Sequence, residues 1–518
     1  MKVKTFLKDN LNKILFFCIL CTGILVRVCG LGSLPGGLNQ DEAFAGYEAL
    51  SLLRYGTDSS GHHMPVYLNA WGSGMNALNT YLMMPLIALF GAHAWVIRIP
   101  QCLTACFSLW VIYLLLKKAG DSKLALTGMF YMAICPWHIM LSRWGLESNL
   151  APGFLLFGLY FFMLGTEKSK FYMLSALFYG LSLYSYATIW PILPVILLLQ
   201  TVYLIYMKKI RPDRYTGISV LIMAVLAAPL VLFLLVNKGY LEPVETSFFS
   251  IPKLTVMRDS EISFSHIPDN FKNMIRILYQ QDDGLYWNTT QEFGLYYKGG
   301  TFLAAVGMII SFFRLIKNIK ARKFDLFDLT IPTFIGGFII GCLIRVNVNR
   351  FNIIHLSMII FIAVGLKTIL EQLSSVYRYS FHAAAAVYII VFACFINFYT
   401  TTYKNQISIY FQDGLAEAVE AAEDISGGQK PICVDRCFYY PKIMFFSQLP
   451  VAEYTETVEY SNYPNAFLDV NKCGPFYFGN YEFNPNFVYI VSSDRISDIP
   501  AGEWEVIECK SALVAYVP

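Results

Sequence analysis

Two adjacent carboxylates, Asp41 and Glu42, stand in the run Gly37-Leu38-Asn39-Gln40-Asp41-Glu42-Ala43, directly after the first apolar segment of the chain. An acidic pair at the edge of a membrane is costly to place and marks a candidate functional site. A carboxylate there can deprotonate a hydroxyl or amine nucleophile, because partial desolvation raises its basicity and a neighbouring acid opposes loss of both protons. In an irregular loop the two side chains point in different directions, so one can act as base while the other orients it. Glu147, in the turn Ser142-Arg143-Trp144-Gly145-Leu146-Glu147-Ser148-Asn149, is a third candidate catalytic carboxylate. Arg143 precedes it at the i, i+4 spacing that pairs side chains at a helix end. Two assignments stay open: Asp41 as base with Glu42 and Glu147 orienting, or Glu147 as base with Asp41 capping the loop.

Arg27, Arg143, Arg345 and Arg350 are the residue type that a lipid-linked phosphate requires, since a guanidinium clamps two phosphate oxygens and stays charged at headgroup level. Each taken singly also reads as a packing or snorkelling arginine. His62 and His63 can add a phosphate donor or a metal ligand, although adjacent histidines point apart and seldom chelate one ion. A divalent metal therefore stays open, and no other cofactor is indicated.

The elements that must position these residues are membrane helices. Hydrophobic residues make up 56% and charged residues 14% of 518, with a mean hydropathy of +0.50, which describes a polytopic membrane protein. A net charge of +3 leaves no footprint for nucleic acid. Lys2, Lys4, Lys8 and Lys13 precede the apolar run Ile14 to Gly30, read as a retained first helix entering from the cytoplasm. The outer loop 31–76 follows. Ala77 to Phe90 is shorter than the roughly 20 residues a crossing helix needs, so it stays on the outer side.

About eleven crossings result. After the first they are Trp95–Leu116, Leu124–Leu141, Leu150–Leu164, Phe171–Thr188, Trp190–Tyr206, Ile218–Val236, Thr301–Ile316, Phe327–Ile344, Phe351–Leu370 and Phe381–Tyr399. This parity delivers five basic loops to the cytoplasm: Lys117 to Lys123, Glu167 to Lys170, the run Lys208, Lys209, Arg211 and Arg214, Lys317 to Lys323, and Lys367 to Arg378. It gathers 31–76, 142–149, 237–300, 345–350 and the tail on the other face, so all of the candidate acids lie there. Four outer arginines run against the positive-inside trend.

Two units are expected: a membrane unit over 1–400 and an extracytoplasmic α/β domain over 401–518, long enough to bury a core alone. A helix is predicted over Asp413–Asp424 and strands over Pro431–Val434, Phe487–Val491, Trp504–Glu508 and Ala512–Tyr516. Its spacing holds no catalytic pattern, so its role is recognition or structure. Most of the cysteines, Cys18, Cys21, Cys102, Cys106, Cys342 and Cys394 among them, sit in apolar runs as small buried thiols, while Cys433, Cys437, Cys473 and Cys509 allow one or two disulfides in the tail. Asn288-Thr289-Thr290 has the pattern of a glycosylation sequon.

The segment Leu34 to Ala43, then Gly61, Pro65 and Tyr67, Leu89-Phe90-Gly91, Arg98-Ile99-Pro100, and Ser142-Arg143 to Glu147 resembles the GT-C superfamily of membrane glycosyltransferases. Within it the resemblance is to glycosyltransferase family 39, the protein O-mannosyltransferase and aminoarabinose transferase type, in its bacterial members. It covers about residues 10 to 190, and Asn347 to Arg350 is similar to a polar turn of those members. The resemblance implies a GT-C fold and a sugar donor on a polyprenyl or dolichyl monophosphate. It implies transfer with inversion to a glycan, lipid or protein acceptor outside the cytoplasm, at the plasma membrane. It also implies an aspartate base in the first outer loop, a role that falls to Asp41, with Glu42 and Glu147 at the family's neighbouring and second acidic positions. Two departures stand out: the second acid is Glu in a Leu-Glu-Ser context, and no β-trefoil insert is present. The rival reading is a transporter or flippase of lipid-linked sugars, which would be expected to show related halves and polar residues at mid-membrane. No internal repeat is visible.

Overall fold

Asn352–Ser374, the central helix, lies against Gly300–Ala321 with no side chain between them at two points, and that close approach sets the packing of the later half of the bundle. A Cβ at Gly307 would fall 1.8 Å from the Phe361 carbonyl oxygen, and one at Gly365 would fall 2.2 Å from that of Leu303. Small residues at a membrane helix interface permit this backbone contact where no hydrophobic effect drives helices together. The computed structural model describes residues 2–518 apart from 211, 258–261, 263 and 480–481, and the side chains from residue 10 onward. Arg211 of the third basic loop and the side chains of Lys2, Lys4 and Lys8 thus lie outside the described residues.

Among the described residues nine helices are long and apolar enough to cross a membrane. Two of the eleven expected crossings take other forms. The segment 124–141 is a helix pair, Ser122–Ile134 and Pro136–Leu141, broken where Cys135 leaves helical geometry ahead of the proline. The segment 171–188 carries only the 13-residue helix Phe171–Leu183. Leu78–Phe90, with Pro85 inside it, is also 13 residues, about 20 Å at 1.5 Å per residue, against the roughly 30 Å of a hydrocarbon core.

Hydrogen bonds sort the connecting segments onto two faces. On one, the Lys118 ammonium meets Glu167 at 2.6 Å, Lys367 meets Asp121 at 2.8 Å, and the Tyr203 hydroxyl donates to Asp328 at 2.7 Å. On the other, the backbone N–H of Leu78 reaches the Tyr184 carbonyl at 3.1 Å, that of Val66 reaches Ser250 at 3.0 Å, and Asn352 donates to Asn149 at 3.1 Å. The segments 31–76, 142–149, 237–300 and 345–350 share this second face.

The last span does not end at residue 400. It continues from Ser380 to Phe411 through a wider turn at Tyr399–Tyr403, so the expected boundary falls inside a helix and the tail proper starts near Asp413. The tail is a seven-stranded mixed sheet in the order 505–509, 512–516, 488–492, 432–434, 476–478, 470–473, 459–460, with the strand 432–434 parallel to both neighbours and the other pairs antiparallel. Its helices Leu415–Ser426 and Tyr440–Ser447 do not close a private core. Ile443, Met444 and Phe445 pack with Ala43, Phe44, Tyr47 and Leu50 of the helix Gln40–Tyr55 in one apolar cluster. All four tail cysteines are free thiols, with Cys433 and Cys473 buried as ordinary core residues, so the disulfides do not form. Asn288 is buried and donates to Asp283 at 2.6 Å, which removes it as a sequon for glycosylation.

Candidate active site

The site is built from the chain's approach to Asp41. Gly36 and Gly37 run against the neck of the tail: a Cβ on Gly36 would meet the Asp413 carboxylate at 2.7 Å, and one on Gly37, whose φ is +72°, would lie 2.2 Å from the Phe411 carbonyl oxygen. Only glycine combines that φ with that contact. The Leu38 N–H then donates to the Phe411 carbonyl at 2.9 Å, which ties the acidic segment to the tail.

Asp41 and Glu42 do not occupy an irregular loop. They form the first turn of the helix Gln40–Tyr55, capped by Asn39. The Asn39 side chain accepts from the Asp41 N–H at 3.0 Å while Glu42 accepts from the Asn39 N–H at 2.9 Å, a reciprocal cap whose asparagine contributes about 1 kcal/mol. Both acids also favour the positive end of the helix dipole. Roughly 100° of helical rotation separates them, so Glu42 turns inward and is fully buried while Asp41 stays partly exposed.

Glu42 is consumed by its surroundings. Arg98 donates to it twice, at 3.0 and 2.7 Å, and Gly145 donates its N–H at 2.7 Å. With Asn39 this makes four donors on one carboxylate, and both members of the ion pair are wholly buried. A carboxylate so engaged has no lone pair to offer a substrate proton. Glu42 is therefore a positioning residue. Arg98 extends the same function, reaching the carbonyls of Pro35 and Gly37 at 2.7 Å each.

Glu147 lies in a short turn beside the acidic helix, and its carboxylate accepts from the Asn76 N–H. Asn79 donates to the Gly145 carbonyl at 2.7 Å and Gln101 to the Leu146 carbonyl at 3.2 Å, so that turn is held from beneath. Asn76 itself is buried with both side-chain polar atoms unpartnered.

The arginines separate. Arg27 is fully buried and donates to the carbonyls of Gly23, Met132 and Ala133 and to Nδ1 of His138, at 2.7 to 3.0 Å. Arg143 is buried too, and donates to the carbonyls of Val26, Arg27, Cys29, Gly30 and Leu34 at 2.6 to 3.0 Å. It caps the C-terminal end of the first helix, where orphan carbonyls and the negative dipole end attract a cation. Neither has a face for a phosphate, and Arg143 does not pair with Glu147 through any of these bonds. Arg345 is exposed and Arg350 partly exposed, on a turn fixed by Asn273 to the Val346 carbonyl and by the Val348 N–H to Asp283, each at 2.8 Å. Asn352 joins that turn to the Glu147 turn through Asn149.

His62 pairs with Glu245 at 3.0 Å, while Nδ1 of His63 donates to the Gly56 carbonyl at 2.6 Å. Among the described residues no three His, Cys, Asp or Glu side chains gather in a metal-binding group.

Two further residues at this site had no role assigned from the sequence. Arg98, named above only within the motif Arg98-Ile99-Pro100, stands at the start of a span. Lys442 is a lone lysine in the aromatic run Tyr439 to Phe446. It is buried, donates to Gln412 at 2.7 Å, and is near enough to Glu42 and Asp41 to feel both charges. Burial pulls its ammonium down to about 7, and those acids partly offset the shift.

Residues 78–238 match the family described as "Dolichyl-phosphate-mannose-protein mannosyltransferase", a stretch that begins after the Asp41 segment. No curated protein matches the sequence. Among solved structures, ArnT from Cupriavidus metallidurans bound to undecaprenyl phosphate superposes with a TM-score of 0.54 at 11% identity, over 97% of each chain. An Archaeoglobus fulgidus oligosaccharyltransferase in complex with Zn and sulfate gives a TM-score of 0.52 at 15% identity, over 84% of this chain and 61% of that one. The same organism's AglB, in complex with an inhibitory peptide and a dolichol-phosphate, gives 0.50 at 14%, over 85% and 64%. The chain thus spans less than two thirds of the archaeal proteins and nearly all of ArnT. Residues 78–238 match that family and the fold is shared with ArnT over 97% of each chain, so this is a polytopic membrane protein with the fold of the GT-C glycosyltransferases.

Proposed function

We propose that this protein transfers a sugar from a polyprenyl-phosphate donor to an acceptor on the extracytoplasmic side of the membrane, with inversion, and that Asp41 is the general base. The observation that carries this reading is the division of labour in one helical turn: Glu42 is buried under four donors, while Asp41 is presented at the partly exposed rim beside the Glu147 turn. The Asp41 carboxylate takes the proton of the acceptor hydroxyl or amine as its heteroatom attacks the anomeric carbon. The bond from that carbon to the phosphate oxygen breaks on the opposite face, and polyprenyl phosphate leaves with the electron pair. Arg345 and Arg350 are the candidates to hold the leaving phosphate, whose charge grows as the bond breaks. No step is routed through a metal.

The donor class draws support from the undecaprenyl phosphate bound by ArnT and the dolichol-phosphate bound by AglB. The basic loops on the face opposite the acids support a cytoplasmic N-terminus and an extracytoplasmic tail. Single-turnover transfer from a defined polyprenyl-phosphate sugar by the purified protein, with lipid translocation followed in parallel, tests the reading. Transfer without translocation is expected. Translocation without transfer would establish the transporter instead.

A further inference from the structure

A cavity of about 260 Å³ opens between the first outer loop and the tail. It is near the small end of the roughly 300–1,000 Å³ range of small-molecule sites, a size for one saccharide unit rather than a folded peptide. Its walls combine aromatic faces with hydroxyls. Trp71 comes from the loop and Tyr440, Tyr460 and Tyr463 from the tail, with Ser59 and Ser60 at one side.

Two polar atoms in this wall are buried without a partner, the side-chain carbonyl oxygen of Asn69 and the indole N–H of Trp71. Buried polar groups are rarely left so, and here one acceptor and one donor belong to two residues of the same cavity wall, a pattern that a sugar hydroxyl, itself donor and acceptor, matches. Trp71 is also held at φ +57°, a left-handed conformation uncommon for a bulky residue. The next residue, Gly72, is at φ +89°, and a Cβ there would meet the Asn465 carbonyl oxygen of the tail at 2.4 Å. The chain thus accepts an unfavourable backbone to present an indole at the loop and tail junction.

The cavity is continuous with the acidic helix. Phe44, in its wall, follows Asp41 by one helical turn on the same face, and Glu48, a further turn on, accepts from the N–H of Ser59 at 2.9 Å and from its hydroxyl. Asp41 thus precedes the wall of the cavity by about one turn of this helix, roughly 5 Å along its axis. The tail supplies most of the aromatic wall, so access is from the aqueous side, not from the bilayer that delivers a lipid-linked donor.

We propose that this cavity is the acceptor subsite and that the acceptor is a carbohydrate, one sugar unit stacking on Trp71 with its hydroxyls held by Asn69 and the Trp71 N–H. This rests on the reading of Asp41 as the base of a glycosyl transfer. The test uses the full chain in nanodiscs, and saturation-transfer NMR with methyl glycosides of glucose, galactose and N-acetylglucosamine as probes. Signal from at least one glycoside is expected in the wild type and in Asp41→Asn, with loss in Trp71→Ala. Tyr463→Ala, at an exposed rim position, should weaken binding at least threefold. In transfer assays with a glycan acceptor, Trp71→Phe, which keeps a ring and loses the N–H, should raise the acceptor KM about tenfold and leave the donor KM unchanged.

No glycoside signal in the wild type, or a signal unchanged by both the Trp71 and Tyr463 substitutions, overturns the proposal. So does a donor KM that rises with the acceptor KM, since the sugar would then belong to the donor. Loss of binding in Trp71→Ala together with full transfer by Asp41→Asn would keep the subsite and remove the base, so the two readings fail separately.

Discussion

The layer beneath the site and the rim above it use the same residue types for opposite ends. Beneath, Arg27, Arg98, Arg143 and Glu42 are buried and spend their hydrogen bonds on backbone carbonyls, backbone N–H groups and one another. At the rim, Asp41, Glu147, Arg345 and Arg350 keep part of their surface open on the same face. The contrast teaches that charge on the correct side of a membrane does not identify a ligand site. What separates the two layers is burial: the lower charges are closed off from solvent and the rim charges are partly open to it.

The largest effect expected from this division is at Asp41. Asparagine is nearly isosteric and cannot accept a proton, so Asp41→Asn should retain folding and donor binding while single-turnover transfer falls by about 10²- to 10⁴-fold. Glu147→Gln should be milder. If Glu147→Gln is instead the inactive variant and Asp41→Asn turns over normally, the two acids exchange roles. Near-normal rates in both would remove catalysis from this turn.

Next comes the buried layer, whose loss should appear as stability rather than rate. Glu42→Gln leaves the Arg98 guanidinium buried without its counter-charge, a change that costs about 3–5 kcal/mol. Thermal unfolding in detergent should show a large drop in Tm. The double variant Glu42→Gln with Arg98→Met should recover part of that loss, because it removes the unpaired charge although the Gly145 and Asn39 N–H groups keep a weaker acceptor. Equal destabilisation in the single and double variants would mean that the ion pair is not what holds the turn.

How much of this was legible in the sequence follows from the range of each interaction. The acidic run, the shortness of the helix Leu78–Phe90 and the alternation of basic loops are local patterns, and they are enough to place the acidic segments together on the face opposite the basic loops. The saturation of Glu42 depends on Arg98, which is 56 positions away, and no periodicity links them. Arg27 and Arg143 were assigned to a phosphate because sequence reports the side of a span and not whether carbonyls surround the guanidinium. The tail strands 459–460, 470–473 and 476–478 are two to four residues long, too short for a period-2 pattern to show. Lys442 reaches the acids only because the tail helix folds back onto the helix Gln40–Tyr55.

Smaller effects should sharpen the comparison among the arginines. Arg345→Ala and Arg350→Ala should each weaken donor binding by more than the roughly 0–1 kcal/mol of a surface ion pair. Arg143→Ala should lower Tm and leave donor Kd unchanged in the folded fraction, since its guanidinium is held by carbonyls of the first helix. Isothermal titration with a polyprenyl-phosphate sugar reads both. A Kd that moves with Arg143 and not with Arg345 or Arg350 would reverse the assignment of layers.

The last comparison is in the pH dependence of stability, and it separates two buried groups of opposite sign at the junction with the tail. Burial, with Asp58 adding repulsion, pushes the Glu48 carboxyl up to about 8 from 4.5, so between those values the folded chain holds a proton that the unfolded chain has lost. That contribution is complete below pH 4.5 and is lost as pH rises through 8. Burial draws Lys442 down to about 7 from 10.5, so between pH 7 and 10.5 it is the unfolded chain that holds the extra proton, and stability gains as pH rises through that window. Tm measured from pH 5 to 10 should therefore lose part of its downward slope over pH 5 to 8 in Glu48→Gln, and part of its upward slope above pH 7 in Lys442→Met. Lys442→Met has a second readout, because removing a cation near Asp41 makes that carboxylate easier to protonate and should move the acid limb of the transfer rate to higher pH. A slope and an acid limb both unchanged in Lys442→Met would show that the tail lysine exerts no charge on the acidic turn.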